Sequence, residues 1–166
     1  MPKESININK VHIPRWNELP NLDLYLDQIV TFINTSLEKC IKPNDTLKSD
    51  TPILTKTMIN NYVKNYLIEA PIKKKYSKNQ CAKLFCICIL KQVYSMNEIS
   101  KLIDIALKSS EINVAYDSFC NHFEEALKCA FEKKEFFKIE NIDENKYLLK
   151  SVLLSCSYKI YVQNMI

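Results

Sequence analysis

Leu54-Thr55-Lys56-Thr57-Met58-Ile59-Asn60-Asn61-Tyr62-Val63-Lys64-Asn65-Tyr66-Leu67-Ile68, followed after two residues by Pro71-Ile72-Lys73-Lys74-Lys75-Tyr76-Ser77, decides how this chain reads. Leu54, Met58 and Tyr62, with Ile59 beside them, share one side of a helix expected over Thr55 to Asn65. Lys56, Thr57, Asn60, Asn61 and Lys64 fall on the other side. Pro71 stops regular structure, and Lys73, Lys74, Lys75 and Tyr76 form a basic arm behind it. A hairpin at that arm needs positive φ at its tip, which none of these residues favours, so the arm reads as extended chain or at most a small β-wing over 68–76.

The charge is focused on this stretch. From Lys56 to Lys83 there are seven lysines (56, 64, 73, 74, 75, 78 and 83) against one acid, Glu69, a net of +6; the whole chain is +4, so the remainder sums to −2. A focused positive patch suits a polyanionic partner. Amide side chains read base edges and lysines bind phosphates. The bland alternative is a solvated helix face in a chain whose abundant Lys, Ile and Asn match the codon bias of an AT-rich genome.

Bulk properties bound the rest. A chain of 166 residues, 47% hydrophobic, makes one domain or one domain with an extension, and it is too apolar for disorder. No apolar run reaches membrane-spanning length, and Met1-Pro2-Lys3-Glu4-Ser5-Ile6-Asn7 lacks a signal peptide's apolar region, so the expected location is cytoplasmic with no membrane partner. There is no glycine at all. P-loops, dinucleotide fingerprints and kinase phosphate loops need glycine where backbone meets phosphate, so those enzymes are excluded. Helix ends and turns must place Asn, Asp, Ser or Lys in the left-handed region instead.

The seven cysteines (40, 81, 86, 88, 120, 129 and 156) sit mostly in apolar runs and read as buried reduced thiols. Cys86 and Cys88, two positions apart on a helix, point to different faces and cannot share one ion. Cys120 and His122 carry no stronger metal signal. Glu124, Glu125, Glu132 and Glu135, interleaved with Lys128, Lys133 and Lys134, read as a solvated helix face with weak ion pairs. His12 and His122 have no sequence-local nucleophile. We expect no enzyme activity, no metal and no cofactor.

Helical spacing organises the chain into an all-α fold. Residues 1–20 look irregular, with Trp16 as an anchor onto the core. Asn21 is expected to cap a helix to Ile41 with Leu22, Leu26, Ile29, Ile33, Leu37 and Cys40 inward. Pro43-Asn44-Asp45 and Ser49-Asp50-Thr51-Pro52 mark a polar loop. Ser77-Lys78-Asn79-Gln80 is a capping box opening a helix to about Tyr94, apolar almost all round and therefore central. Ser95-Met96-Asn97-Glu98 opens another helix, to about Leu107. Two further helices are expected over Val114 to Lys134 and Glu144 to Gln163.

This order resembles the MerR type of winged helix-turn-helix, in which a Thr-Leu-Arg-Tyr-Tyr helix leads to Gly-Leu-Leu, a wing and a Tyr-Ser helix start. Met58-Ile59-Asn60-Asn61-Tyr62, Tyr66-Leu67-Ile68, Pro71 to Lys75, Tyr76-Ser77, Leu84, Ile87, Leu90 and Ser95-Met96-Asn97-Glu98-Ile99 match it without a gap. More closely, Leu22-Asp23-Leu24-Tyr25-Leu26-Asp27-Gln28, the stretch from Leu54 to Lys64, and Lys74-Lys75-Tyr76-Ser77 are similar to the Firmicute family catalogued as domain of unknown function 1836. The resemblance implies a MerR-like DNA-binding fold with a short basic wing over 1–110, and a C-terminal helical extension over 111–166 packed with it as one unit. Three positions depart from the MerR pattern: Asn60 replaces the arginine, Asn61 the first tyrosine and Tyr66 the glycine, so Asn65 is expected to supply the left-handed helix end. The MerR dimer coiled coil is missing, and the helices after 110 would replace it.

The expectation is therefore a homodimeric, sequence-specific regulator of transcription on double-stranded DNA, with an unidentified small-molecule or protein effector. Lys56, Asn60, Asn61 and Lys64 would touch the major groove, with Thr57 near a phosphate. Lys73, Lys74, Lys75 and Tyr76 would extend along the flanking backbone, and Ser77 and Lys78 would add a phosphate site at the next helix start. About five neutralised phosphates per subunit give a log K against log salt slope of about −4.5. The alternative is a helical, antirepressor-like adaptor that keeps the scaffold and binds an acidic protein surface.

Overall fold

Local capping chemistry sets most of the helix starts. The computed structural model describes residues 6–41 and 52–166. Its elements are β1 (Leu24–Tyr25), α1 (Leu26–Leu37), α2 (Lys56–Lys64), β2 (Lys75–Tyr76), α3 (Lys78–Leu90), α4 (Met96–Lys108), α5 (Ile112–Glu132) and α6 (Glu144–Met165). Two 3-10 turns, Ile8–Lys10 and Trp16–Glu18, precede them. The fold is mainly helical. Both Ser capping boxes form: Ser77 accepts from Gln80 N–H and Ser95 from Glu98 N–H, with each partner side chain bonded back to the cap N–H. Asp143 caps α6 and Thr55 caps α2 through their side-chain oxygens.

The first helix differs from its expectation. It starts at Leu26 with Tyr25 as N-cap, not at Asn21, because Leu24 and Tyr25 pair antiparallel with Tyr76 and Lys75 as a two-residue strand. Leu22, expected inward, is 78% exposed as a result. The expected polar loop lies, apart from Pro52, outside the described residues.

The core gathers around α3, which buries Leu84, Phe85, Ile87, Cys88, Ile89 and Leu90, while Val93 beyond its end is exposed. Phe85 meets Phe32 of α1 edge-on at 5.7 Å and Tyr116 of α5 at 6.4 Å. Contacts along α5 and α6 advance in the same sense on both helices: His122 feels the charge of Lys150, and Phe131 meets Tyr161 at 5.3 Å. The two therefore run roughly parallel, and the segment between them returns along the pair, laying Phe137 on Tyr147 at 5.9 Å. Burial pushes the thiols of Cys40, Cys81, Cys88, Cys120 and Cys156 up to about 12. Among the described residues no helix is long and apolar enough to cross a membrane.

The N-terminal segment docks on α5 through polar groups. Arg15 makes a two-pronged ion pair with Glu124 (2.9 and 2.7 Å), and Glu124 also accepts from Ile13 N–H at 2.7 Å. Arg15 Nε donates to Asn121, Trp16 N–H to Asp117 and Tyr116 OH to Pro14 O. Glu124 is thus no member of a solvated face, as its sequence neighbourhood suggests, but the centre of a part-buried cluster. Its partners lie more than a hundred residues away, beyond any local pattern.

Candidate nucleic-acid interface

Two devices position α2. Asn34 of α1 clamps Leu54 from both sides, accepting from its N–H at 3.0 Å and donating to its carbonyl at 2.8 Å. Leu54, Ile59 and Tyr62 then enter the core. Met58, expected inward, is instead 37% exposed, because the buried side of the helix runs through Ile59. The outer face carries Lys56, Thr57, Asn60, Asn61 and Lys64, all exposed.

The end of α2 is a Schellman motif built without glycine. Tyr66 N–H donates to Val63 O at 3.1 Å and Leu67 N–H to Tyr62 O at 2.9 Å. The left-handed residue is Tyr66 itself (φ 57°), whereas Asn65 stays at φ −95°. The Asn65 amide has another use: it donates to both Asn61 O and Asn61 Oδ1. Tyr66 is 92% exposed, so its ring contributes nothing to the core. A bulky residue at positive φ costs about 1–2 kcal/mol.

The basic arm is a hairpin, not extended chain. Ile72 N–H donates to Lys75 O at 3.0 Å and Lys75 N–H to Ile72 O at 2.9 Å. The two residues between, Lys73 (φ 50°) and Lys74 (φ 65°), both have positive φ, the pattern of a type I′ turn. Lysine is a poor residue there. The turn is imposed from outside, since Lys75 is also paired with Tyr25 on its other side and Gln80 grips the hairpin's base. Buried Gln80 donates to Glu69 O (2.8 Å) and Ala70 O (3.3 Å) while accepting from Ser77 N–H. Lys83 adds an ion pair to Glu69 at 2.6 Å.

The segment 16–27 collects the cations of this region. Lys56 pairs with Asp27 in the first turn of α1. Lys75 lies over the Tyr25 ring at 5.0 Å. Lys78 lies over the Trp16 ring at 5.0 Å and donates to Asn21 at 3.1 Å. The N-terminus of α2 and the hairpin therefore abut the same turn of chain. The sequence pattern of α2 and the arm contained no signal for these partners, because Trp16, Asn21, Tyr25 and Asp27 lie far away along the chain.

The expected contact residues thus divide. Lys64, Lys73 and Lys74 are exposed with no acid paired to them among the described residues, and Thr57 and Asn60 are exposed beside them. Asn61 is exposed but held by Asn65 and lies 3.9 Å from Met96 Sδ. Lys56, Lys75 and Lys78 are cations already in contact with side chains of this protein. Tyr76, expected on the contact surface, is 3% exposed and belongs to the core; burial raises its phenol's pKa. Ser77 Oγ serves the capping box, which also takes up two of the N–H groups at the start of α3. What sequence reasoning missed is the pair of exposed hydrophobic side chains bordering the lysines, Tyr66 and Ile72.

Residues 14–119 match the model of a family described as a domain of unknown function (DUF1836). The chain belongs to that family. The match covers β1 through the first third of α5 and so includes the whole basic region. No curated protein and no solved structure matches the chain.

Proposed function

We propose that this DUF1836 protein binds double-stranded DNA sequence-specifically as a homodimer, through a MerR-like winged helix-turn-helix, and regulates transcription. The observation that carries the proposal is the juxtaposition of an exposed amide-and-lysine helix face with a hairpin whose tip carries two lysines, the start of α2 meeting Asp27 and the base of the hairpin meeting Tyr25 just before α1. Asn60 and Thr57 would meet base edges and backbone, and Lys64, Lys73 and Lys74 phosphates. On α6, Tyr158, Val162 and Met165 form an exposed stripe at helical spacing that suits a two-fold partner. With three unpaired lysines the salt slope should be about −2.7 per subunit, shallower than the composition alone suggests.

Selection of bound duplexes from a random pool, followed by titration of the best at several salt concentrations, tests this. A palindromic site and a steep negative slope support the proposal; a slope near zero overturns it. A second reading, an adaptor for an acidic protein surface, is favoured by the exposure of Tyr66 and of Ile72 (77%), which suit a protein partner. Absence of co-purifying nucleic acid, seen in the 260/280 absorbance ratio, together with failed selection, would favour the adaptor.

A further inference from the structure

A cavity of about 490 Å³ lies between α3, α4, α5 and α6. Its wall is largely apolar, including Leu102, Ile103, Ala106, Phe119, Leu149 and Leu153. Of the residues in α4 only Ile99 is fully buried; Leu102 and Ile103 are half-buried, packed on the core on one side and lining the cavity on the other. The size and lining are those of a small-molecule site. Its basic groups are Lys83, His122, Lys146 and Lys150, beside the neutral Ser109, Ser110 and Ser118, and among the described residues no acid lines it.

These four groups are not equivalent. Lys83 is committed to Glu69 at 2.6 Å. Among the described residues Lys146 pairs only with Asp143, at 3.8 Å. Lys150 lies over the rings of Phe136 and Phe137 and pairs with no acid among the described residues. His122 contacts Ser118 Oγ through Nδ1 at 3.1 Å, feels the positive charge of Lys150, and has Glu125 as its acidic neighbour. A half-open apolar cavity bordered by Lys150 and by the exposed Lys146 matches one ligand chemistry: an aliphatic chain with a single anionic head at the mouth.

We propose that this cavity binds an aliphatic carboxylate, its chain against α4 and its head at Lys150 and Lys146, with His122 beside them. The site goes beyond the DNA-binding proposal and does not depend on it, because every readout below is of ligand binding. The probe is sodium decanoate, titrated calorimetrically into the full chain beside 1-decanol and decyltrimethylammonium. Decanoate should saturate at one per chain and bind at least about tenfold more tightly than the alcohol, and the cation should not bind. Lys146→Gln with Lys150→Gln should weaken decanoate about tenfold and leave decanol unchanged. Ala106→Trp, which fills the cavity, should abolish binding of both. Equal affinity for the three probes, no saturable decanoate binding, or wild-type affinity in Ala106→Trp overturns the proposal. Should the tryptophan variant not fold, the ordering of the three probes on the unaltered protein still decides.

Discussion

Two charged regions of this molecule are built in opposite ways. Around Arg15 and Glu124 the central charges are part-buried and each donor faces an acceptor: guanidinium against carboxylate, Ile13 N–H against the same carboxylate, Trp16 N–H against Asp117. Around the hairpin, Lys73 and Lys74 stand exposed without an acid, on backbone held at positive φ, with Tyr66 at positive φ a few residues earlier. The first arrangement holds the N-terminal segment on α5. The second contributes nothing to the core that a glycine or asparagine would not contribute at lower backbone cost. Unpaired charge carried on strained backbone is the feature that the proposed DNA contact would use.

The largest effect should come from breaking the paired region. Glu124→Ala removes the carboxylate shared by Arg15 and Ile13 N–H, leaves Arg15 its bonds to Ile13 O and Asn121, and should destabilise the fold by about 2 kcal/mol, within the range for hydrogen bonds to a charged group. Urea unfolding followed by far-UV circular dichroism measures it, and DNA affinity of the folded protein should not change. The hairpin should respond in the reverse manner. Lys73→Asn with Lys74→Gly should gain about 1 kcal/mol in all, the relief at position 74 being partly offset by glycine's chain entropy. The same variant should lose DNA affinity, and its salt slope should flatten by about 1.8. An unaltered affinity would make the hairpin purely architectural and remove the contrast.

Tyr66→Gly sharpens the comparison with a smaller change. Relief of the left-handed tyrosine, partly offset by glycine's greater chain entropy, should raise stability by about 0.5 kcal/mol in the same urea titration. The smallest effect is in acid. Glu69 is pushed up by burial, but its bond to Lys83 and a backbone N–H hold it below the ordinary 4.5 on balance. Glu18 is held lower by the Arg15 N–H and by His12. Both folded values lie below the unfolded ones, so their stabilisation is fully present above about pH 4.5 and is lost as pH falls through the folded values. His122, held below the ordinary 6.5 by burial and by Lys150, adds its own loss of stability from about pH 6.5 downward. Thermal midpoints measured from pH 6 down to pH 3 should therefore decline throughout and more steeply below about pH 4.5, where Glu69→Gln should shallow the decline.

Features that depend on neighbours in the chain were legible. The Ser77 and Ser95 boxes, the central apolar α3, the two long C-terminal helices and the exposed face of α2 follow from three- and four-residue spacing. Features that depend on distant partners were not. The start of α1 moved to Leu26 because Leu24 and Tyr25 found Tyr76 and Lys75. Lys56 and Lys78 lost their freedom to Asp27 and to Trp16 with Asn21. Tyr76 sits beside three lysines in sequence yet is buried, because the alternation of a two-residue strand turns its ring inward.

The amino-acid order alone determined the helical class, the separate helices and the concentration of positive charge between Lys56 and Lys83, since periodicity, capping and charge count are local properties. Only the tertiary structure decided which lysines remain unpaired, that the arm turns back on itself, and that an apolar cavity lies between α4 and its neighbours. The physical reason is range. A ladder bond from Tyr25 or a clamp from Gln80 can hold lysine at a positive φ that its own preference opposes, and nothing within a few residues of that lysine records the force.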